Sequence, residues 1–445
     1  MYHIDNYLIT QSPRNPMLPT TFRTRKIGLI DSQWQAVFDE YWPAYESWYR
    51  RKKGGDINPG ARKQGYRQLA MIMPEMLPLY ESFLDTCNDC PVAAQFLTGY
   101  QPPAYLVNCS QAVLLDEEPL LIRNYDLSPD LSENLLTHSN WLGQDIIGSN
   151  ECLWGLDDGM NESGLAASLT FGGSSQVGKG FGIPFIMRDL LQTCENVRQA
   201  ISVLQRVPSH MAYNVTLVDK QGSYATVMLA PGQEAKITRE RCTTNHQSRV
   251  TWRQQATFTN TVERKKFLDE LMARDKLSEN ELRRAFLAAP LRSTNFGQNF
   301  GTVYTAVFKP SSASMSYHWP DEPTWRHGFA DFEASEMTVN LDKRFSQATV
   351  HGEINERAEP DHCLTVSIRR QLLQGLTYLP VSAVGQPDAL QNLKRDLQAK
   401  SAYCWQDYAR QVTQVWRYPA PANQPWPDTA QHGHRGPYRP TPYRD

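Results

Sequence analysis

The chain has 445 residues, 11 % of them aromatic, and carries 45 Lys and Arg against 47 Asp and Glu, a formal net charge of −2. That balance leaves no basic footprint for nucleic acid, no run approaches the ~18 uninterrupted apolar residues of a membrane-spanning helix, and the aromatic content excludes a disordered composition. The opening "MYHIDNYLIT" has no basic flank ahead of an apolar run, so no secretory signal is expected and a cytoplasmic protein is the default.

Eight cysteines (87, 90, 109, 152, 194, 242, 363 and 404) are scattered along the chain, as buried thiols in a reducing compartment would be. Cys87 and Cys90 form a C-x-x-C, but a structural zinc site needs a second spaced pair, and His362-Cys363 is adjacent instead. No metal and no cofactor are expected.

In chain order, apolar and aromatic residues at 34, 37, 38, 41, 42, 45, 48 and 49 predict a helix over 32–53 that ends at Gly54-Gly55. A second helical stretch, 60–86, is interrupted by Pro74 and Pro78, so the first ~100 residues read as mainly helical. Strand character begins near Tyr105, with a hairpin turning at Asp116-Glu117-Glu118-Pro119. "ECLWGLDDGMNESGLAASLTF" reads as strand, turn, strand, with Asp157-Asp158-Gly159 and Asn161-Glu162-Ser163-Gly164 as turn chemistry. One helix is expected from Pro184 to Leu204 with proline in its first turn, then a hairpin turning at Asp219–Gly222. Helices over 261–275 and 279–288 follow, the second opened by a Ser278/Glu281 capping box. A further hairpin turns at Lys309-Pro310; residues 387–416 are amphipathic, and the tail from Tyr418 is proline-rich. Hairpins with helices between them, without regular β-α-β alternation, predict an α+β fold of antiparallel sheets covered by helices.

Two segments could carry chemistry. "GSSQVGKG" (173–180) satisfies G-x-x-x-x-G-K but puts Gly180 where a phosphate loop needs Ser or Thr for Mg²⁺, so it reads as a surface loop, and a nucleotide binder is the distant alternative. The other is the first hairpin, which lays Arg123-Asn124-Tyr125-Asp126 back alongside Cys109 and brings a thiol, a guanidinium and a carboxylate within reach of one another. Taken locally, Cys109 could equally be a small buried hydrophobe, and Arg123 and Asp126 a surface ion pair.

Cys109, Arg123-Asn124-Tyr125-Asp126, "DDGMNESGLAASLTFGG" and "TTNHQ", in that order, resemble the choloylglycine hydrolase and acyl-CoA:6-aminopenicillanic acid acyltransferase-like families of amino-terminal-nucleophile (Ntn) hydrolases. "GIPFIMRDLLQTCENVRQAISVLQRVP" and "TVYTAVFKPSSASMSYHW" are similar to the later helix and hairpin of the acyltransferase branch, so the resemblance spans about 105–319. It implies a four-layer αββα sandwich and an internal nucleophile, Cys109, exposed by self-cleavage at Asn108-Cys109, where the acyltransferases commonly carry glycine before the cysteine. A thiol of pKa ~8.5 needs a base, and a freed α-amine of pKa ~7.7–8.0 can serve. The resemblance assigns Arg123 to favouring the thiolate, Asp126 to orienting the α-amine, and Asn161 and Asn245 to the oxyanion. Arg264 sits where the family often has a site arginine, although its residue-level reading is a solvated helix arginine.

The expected organisation is a helical leader (1–108), a catalytic core (109–345), a C-terminal extension with a long helix (346–417) and a disordered tail (418–445). The expected activity is acyl transfer from a small-molecule amide or acyl thioester through an S-acyl-Cys109 intermediate, in a self-processed two-chain protein with neither nucleic acid nor membrane as partner. A catalytically inactive ligand-binding member of the same fold is the alternative.

Overall fold

The computed structural model describes residues 18–342, apart from 30, 88–89 and 297–299. The amphipathic stretch 387–416, the proline-rich tail, His362-Cys363 and Cys404 lie outside the described residues.

The described chain opens on a strand, β1 (Pro19–Lys26), within a stretch that the sequence reads as mainly helical. Helix α1 (Ser32–Lys53) starts where Asp31 accepts from the backbone N–H groups of Gln33 and Trp34 and stops at Gly54, whose φ of 50° suits glycine. Its apolar stripe, Trp34 through Tyr49, is buried. Helices α2 (Pro59–Ile72), α3 (Leu77–Asp85) and α4 (Pro91–Phe96) precede the first hairpin, with Pro74 at the break between α2 and α3 and Pro78 in the first turn of α3.

Strands β2 (Asn108–Leu115) and β3 (Pro119–Leu127) form the expected hairpin. Strands β4 (Leu135–Asn140), β5 (Asp145–Glu151), β6 (Gly155–Asn161) and β7 (Leu165–Phe171) then run as a meander. Asp157-Asp158-Gly159 lies inside β6, and only the 161–164 segment turns. The single helix expected over 184–204 is two, α5 (Ile183–Thr193) and α6 (Val197–Arg206). The break has a local cause: Asn161 and Gln144 side-chain amides take the carbonyls of Leu191 and Cys194, and Asn196 caps the new helix through the Gln199 N–H.

Beyond them come β8 (Tyr213–Asp219), β9 (Tyr224–Leu229), β10 (Lys236–Thr238) and β11 (Cys242–Thr243). Helices α7 (Arg253–Thr259), α8 (Thr261–Met272) and α9 (Glu279–Phe286) follow, the last with its capping box formed. Strands β12 (Gly301–Lys309), β13 (Ser314–His318), β14 (Trp325–Gly328) and β15 (Ser335–Asn340) close the described chain.

Among the described residues these strands form two sheets. The larger runs β10-β9-β8-β7-β6-β5-β4-β1-β15, the smaller β11-β2-β3-β12-β13-β14. Every pairing is antiparallel except that of β1 with β4. The sheets face each other: Gln111 of β2 donates to Thr216 of β8 and accepts from Ser168 of β7. Outside the larger sheet α5 lies so close to β6 that a Cβ on Gly155 would come within 2.5 Å of Pro184. Outside the smaller sheet, Leu268, Leu271, Leu282 and Phe286 of α8 and α9 bury Ala112, Leu114, Leu120 and Ile122. The order is helix, sheet, sheet, helix, and the α+β sandwich expected from the sequence is the fold.

Candidate active site

The β2–β3 register sets Cys109 opposite Tyr125, Asn108 opposite Asp126 and Gln111 opposite Arg123. Because successive strand residues alternate faces, Cys109, Arg123 and Tyr125 point between the sheets, whereas Ser110, Asn124 and Asp126 point toward α8 and α9. The thiol and the guanidinium therefore meet, with Arg123 Nη2 donating to Cys109 Sγ at 3.1 Å. The Asp126 carboxylate lies on the other face: its Oδ1 accepts from Thr302 Oγ1 at 2.7 Å, and its Oδ2 is 3.6 Å from Arg264 Nη1.

Arg123 is anchored from across the sandwich. Its Nη1 donates to Asp158 Oδ2 of β6 at 2.5 Å, Tyr304 OH donates to the same oxygen at 3.1 Å, and the guanidinium sits 4.7 Å over the Tyr125 ring. Ser149 Oγ completes the carboxylate's shell. Asp158 was expected in a turn; buried beside an arginine it forms an ion pair instead, since a lone buried guanidinium would be costly. No spacing rule links Asp158, Ser149 or Tyr304 to Cys109, so reasoning from the sequence missed them.

Asn245 follows β11 in the T-N-H segment. Its Oδ1 accepts from the Cys109 N–H at 3.2 Å and from Arg264 Nη2 at 2.6 Å, while its Nδ2 is buried with no hydrogen-bond partner. Gly173, at φ +72°, lets the chain after β7 pass Asn245 closely, since a Cβ there would stand 2.5 Å from the Asn245 carbonyl oxygen. Arg264 is buried rather than solvated. Its Nη1 donates to Cys109 O at 2.8 Å and Ser110 Oγ at 2.7 Å, and its Nε to Thr259 O at 2.9 Å.

Asn161 is not part of this group. Its amide caps the end of α5 and its Oδ1 accepts from the Leu165 N–H, which occupies the donors expected for an oxyanion. Asn108 is buried at the start of β2 and accepts from Gln255 Nε2 at 3.4 Å.

Burial pushes the Cys109 thiol up to about 12, overriding the pull of Arg123 in the other direction. The Asp126 carboxyl is also raised by burial, to about 6, against the opposing attraction of Arg264 and the Thr302 hydrogen bond. Elsewhere, Cys87 Sγ donates to Phe83 O, and the 173–180 segment is an exposed loop over 175–177, tied down where Gly178 N–H donates to the His210 carbonyl. Among the described residues no group of three or more His, Cys, Asp or Glu is placed to hold a metal ion, and no helix is long and apolar enough to cross a membrane.

The structure is a four-layer α+β sandwich of two largely antiparallel sheets, and the family model that matches part of the chain is one of acyl-transferring enzymes. Residues 113–323 match the family described as acyl-coenzyme A:6-aminopenicillanic acid acyl-transferase. Among solved structures, the chain is similar to a mutant of conjugated bile acid hydrolase from Clostridium perfringens, at 13 % identity over 54 % of this chain and 99 % of that one, with a TM-score of 0.40. It is also similar to a Caenorhabditis elegans ortholog of N-acylethanolamine-hydrolyzing acid amidase (17 % identity, 46 % and 93 % covered, TM-score 0.35). Penicillin V acylase from Agrobacterium tumefaciens is a third (15 % identity, 52 % and 91 % covered, TM-score 0.35). None of the curated proteins compared with the chain matches it in sequence.

Proposed function

We propose that Cys109 is the nucleophile of a cysteine amidase or acyltransferase acting on a small-molecule amide or acyl thioester, and that it becomes terminal by self-cleavage of the Asn108–Cys109 bond. In the uncut chain the Cys109 nitrogen is an amide and the thiol is held up near 12, so it lacks a base. Attack of Sγ on the Asn108 carbonyl carbon moves the acyl group from nitrogen to sulfur; one water then cleaves the thioester, leaving the Asn108 carboxylate and a Cys109 α-amine. That amine takes the thiol proton, and Arg123 favours the thiolate.

The thiolate adds to the substrate carbonyl, the oxyanion develops, and the leaving amine or thiol departs with the proton, giving S-acyl-Cys109. Water or an amine resolves this intermediate. The observation that carries the reading is the split role of Asn245: its oxygen holds the Cys109 nitrogen while its unpartnered Nδ2 supplies an oxyanion donor. Asp126 is a positioning residue that acts through Arg264, and Asn161 has no catalytic part. The core of 109–345 draws β1 from the 1–108 leader into its larger sheet, so the leader is structural as well as protective.

Denaturing mass spectrometry of the purified chain tests this. Fragments 1–108 and 109–445 are expected, with Cys109→Ala left whole, and an acyl thioester should add its acyl mass to Cys109 in a form that hydroxylamine releases. A fully active, uncut wild type would overturn the processing step; an active Cys109→Ala would overturn the nucleophile.

A further inference from the structure

The space between the sheets holds a polar feature that acyl transfer leaves unused. A cavity of about 10 Å³ is lined in part by Tyr125, Asn134, Ser149, Asn150, Asp157 and Tyr317, a volume that suits one water-sized body. Asn134, Asn150 and Asp157 each keep a buried Oδ1 that no hydrogen-bond donor reaches. Asn150 is 4 % and Asp157 2 % exposed.

The amide orientations are fixed by their other ends. Asn150 Nδ2 donates to Glu133 Oε2 at 2.6 Å and Leu153 O at 2.8 Å, and Asn134 Nδ2 donates to Pro129 O at 3.2 Å. Turning either amide over would set oxygen against oxygen. The cavity therefore presents orphaned acceptors from three side chains, one of them the Asp157 carboxyl group.

The surroundings are rich in carboxyl groups, each raised by burial, Asp157 to about 7. Glu133 and Glu151 are buried beside it and share the Tyr45 hydroxyl, at 2.5 Å and 3.1 Å. Their other partners are neutral: the Leu153 N–H and Asn150 amide for Glu133, and the Tyr125 hydroxyl for Glu151. Arg123, the neighbouring cation, donates to Asp158 and to Cys109 and also attracts Asp157, with no hydrogen bond between the two. Buried acceptors without donors are costly, and one small cation answers all three.

We infer that this cavity is a binding site for a water-sized monovalent cation, either free potassium or ammonium or the primary ammonium tip of an acyl substrate. Carboxylate and amide oxygens suit hard cations. Magnesium is a poorer fit because it keeps several waters in an octahedral shell, for which this volume has no room. The substrate form of the occupant rests on the acyl-transfer reading; the free-ion form does not.

The test uses the full chain, melted in choline chloride and in chlorides of lithium, sodium, potassium and ammonium at equal ionic strength. Potassium and ammonium should raise the midpoint saturably, by about 2 °C or more over choline. Asp157→Asn should abolish that shift and exposed Glu195→Gln should keep it. If Asp157→Asn does not fold, a bound ¹⁵N-ammonium resonance in the wild type that potassium displaces serves instead. Identical midpoints in all five salts with no bound ammonium signal, or a shift that survives Asp157→Asn, would overturn the site.

A second arm separates the sources. Acyl donors ending in a primary ammonium are compared with their methyl isosteres, with and without potassium. Potassium that competes only against the ammonium donor identifies the substrate tip as occupant; potassium that stabilises without competing identifies the free ion. Because the melts need no turnover, a dead enzyme with an intact potassium shift would fault the acyl-transfer reading alone.

Discussion

Replacing Asn245 with aspartate separates the two ends of its amide. The substitution keeps an oxygen for the Cys109 N–H at 3.2 Å and for Arg264 Nη2 at 2.6 Å, and removes the buried Nδ2 that has no partner. If Nδ2 is an oxyanion donor, kcat should fall by about 10²–10³, or roughly 2.7–4 kcal/mol of barrier. Stability should hold, because the new carboxylate meets a guanidinium. Asn245→Ala provides the contrast: it strands the Cys109 N–H and an Arg264 donor, which adds a stability cost of about 1–3 kcal/mol. The assay is kcat on a panel of acyl amides and thioesters, paired with denaturant melts of both variants. An aspartate variant that turns over within a few-fold of wild type would refute the donor role, and equal destabilisation by Asp and Ala would mean that the amide acts only as a strut.

Gly173→Ala should cost on the order of 1–3 kcal/mol of stability from its positive φ and lower kcat as well, since the added Cβ stands 2.5 Å from the Asn245 carbonyl oxygen; wild-type kcat would show that this approach does not position Asn245. Asp126 holds its proton more tightly folded than unfolded, at about 6 against an ordinary 3.8. Stability should therefore fall as pH rises through that window, by on the order of 2–3 kcal/mol, and Asp126→Asn should flatten that slope in urea melts at pH 4 and 7; an unchanged slope would contradict it. Phe22→Ala should cost about 3–5 kcal/mol, because the ring is 1 % exposed and its centroid lies 4.8 Å from that of Trp319, tilted by 49°; a loss below about 1 kcal/mol would argue that β1 is peripheral.

What the sequence made legible was local. The stripe of α1, the β2–β3, β8–β9 and β12–β13 hairpins and the Ser278/Glu281 box are fixed by residues a few positions apart, and each stands where the pattern put it. The meeting of Cys109 with Arg123 follows from one hairpin register. What failed depended on partners distant in the chain. Asp157-Asp158-Gly159 has turn composition, yet it is strand because Asp158 answers Arg123 across the sandwich. The 184–204 segment has one helical pattern, yet it breaks because Asn161 and Gln144 arrive from the β-meander to take its carbonyls. Arg264 looks solvated on a polar helix, and only the packing of α8 against β2 turns it inward. Strand β1 stayed hidden because "PTTFRTRK" alternates weakly and both its neighbours, β4 and β15, are remote.

The place of β1 has a consequence for any two-chain product. It pairs with β15 from Pro19 to Thr24 and with β4 from Arg23 to Lys26, so a cut after Asn108 would leave the smaller piece laced through the larger one by two ladders. Such a pair is an obligate heterodimer in fixed one-to-one stoichiometry, and dilution alone would not part it. Stripping the leader away would bare the edges of β4 and β15 at once, and unprotected edges invite aggregation. Expressed from Cys109 onward, the larger piece should be insoluble until a separately supplied leader restores the missing strand.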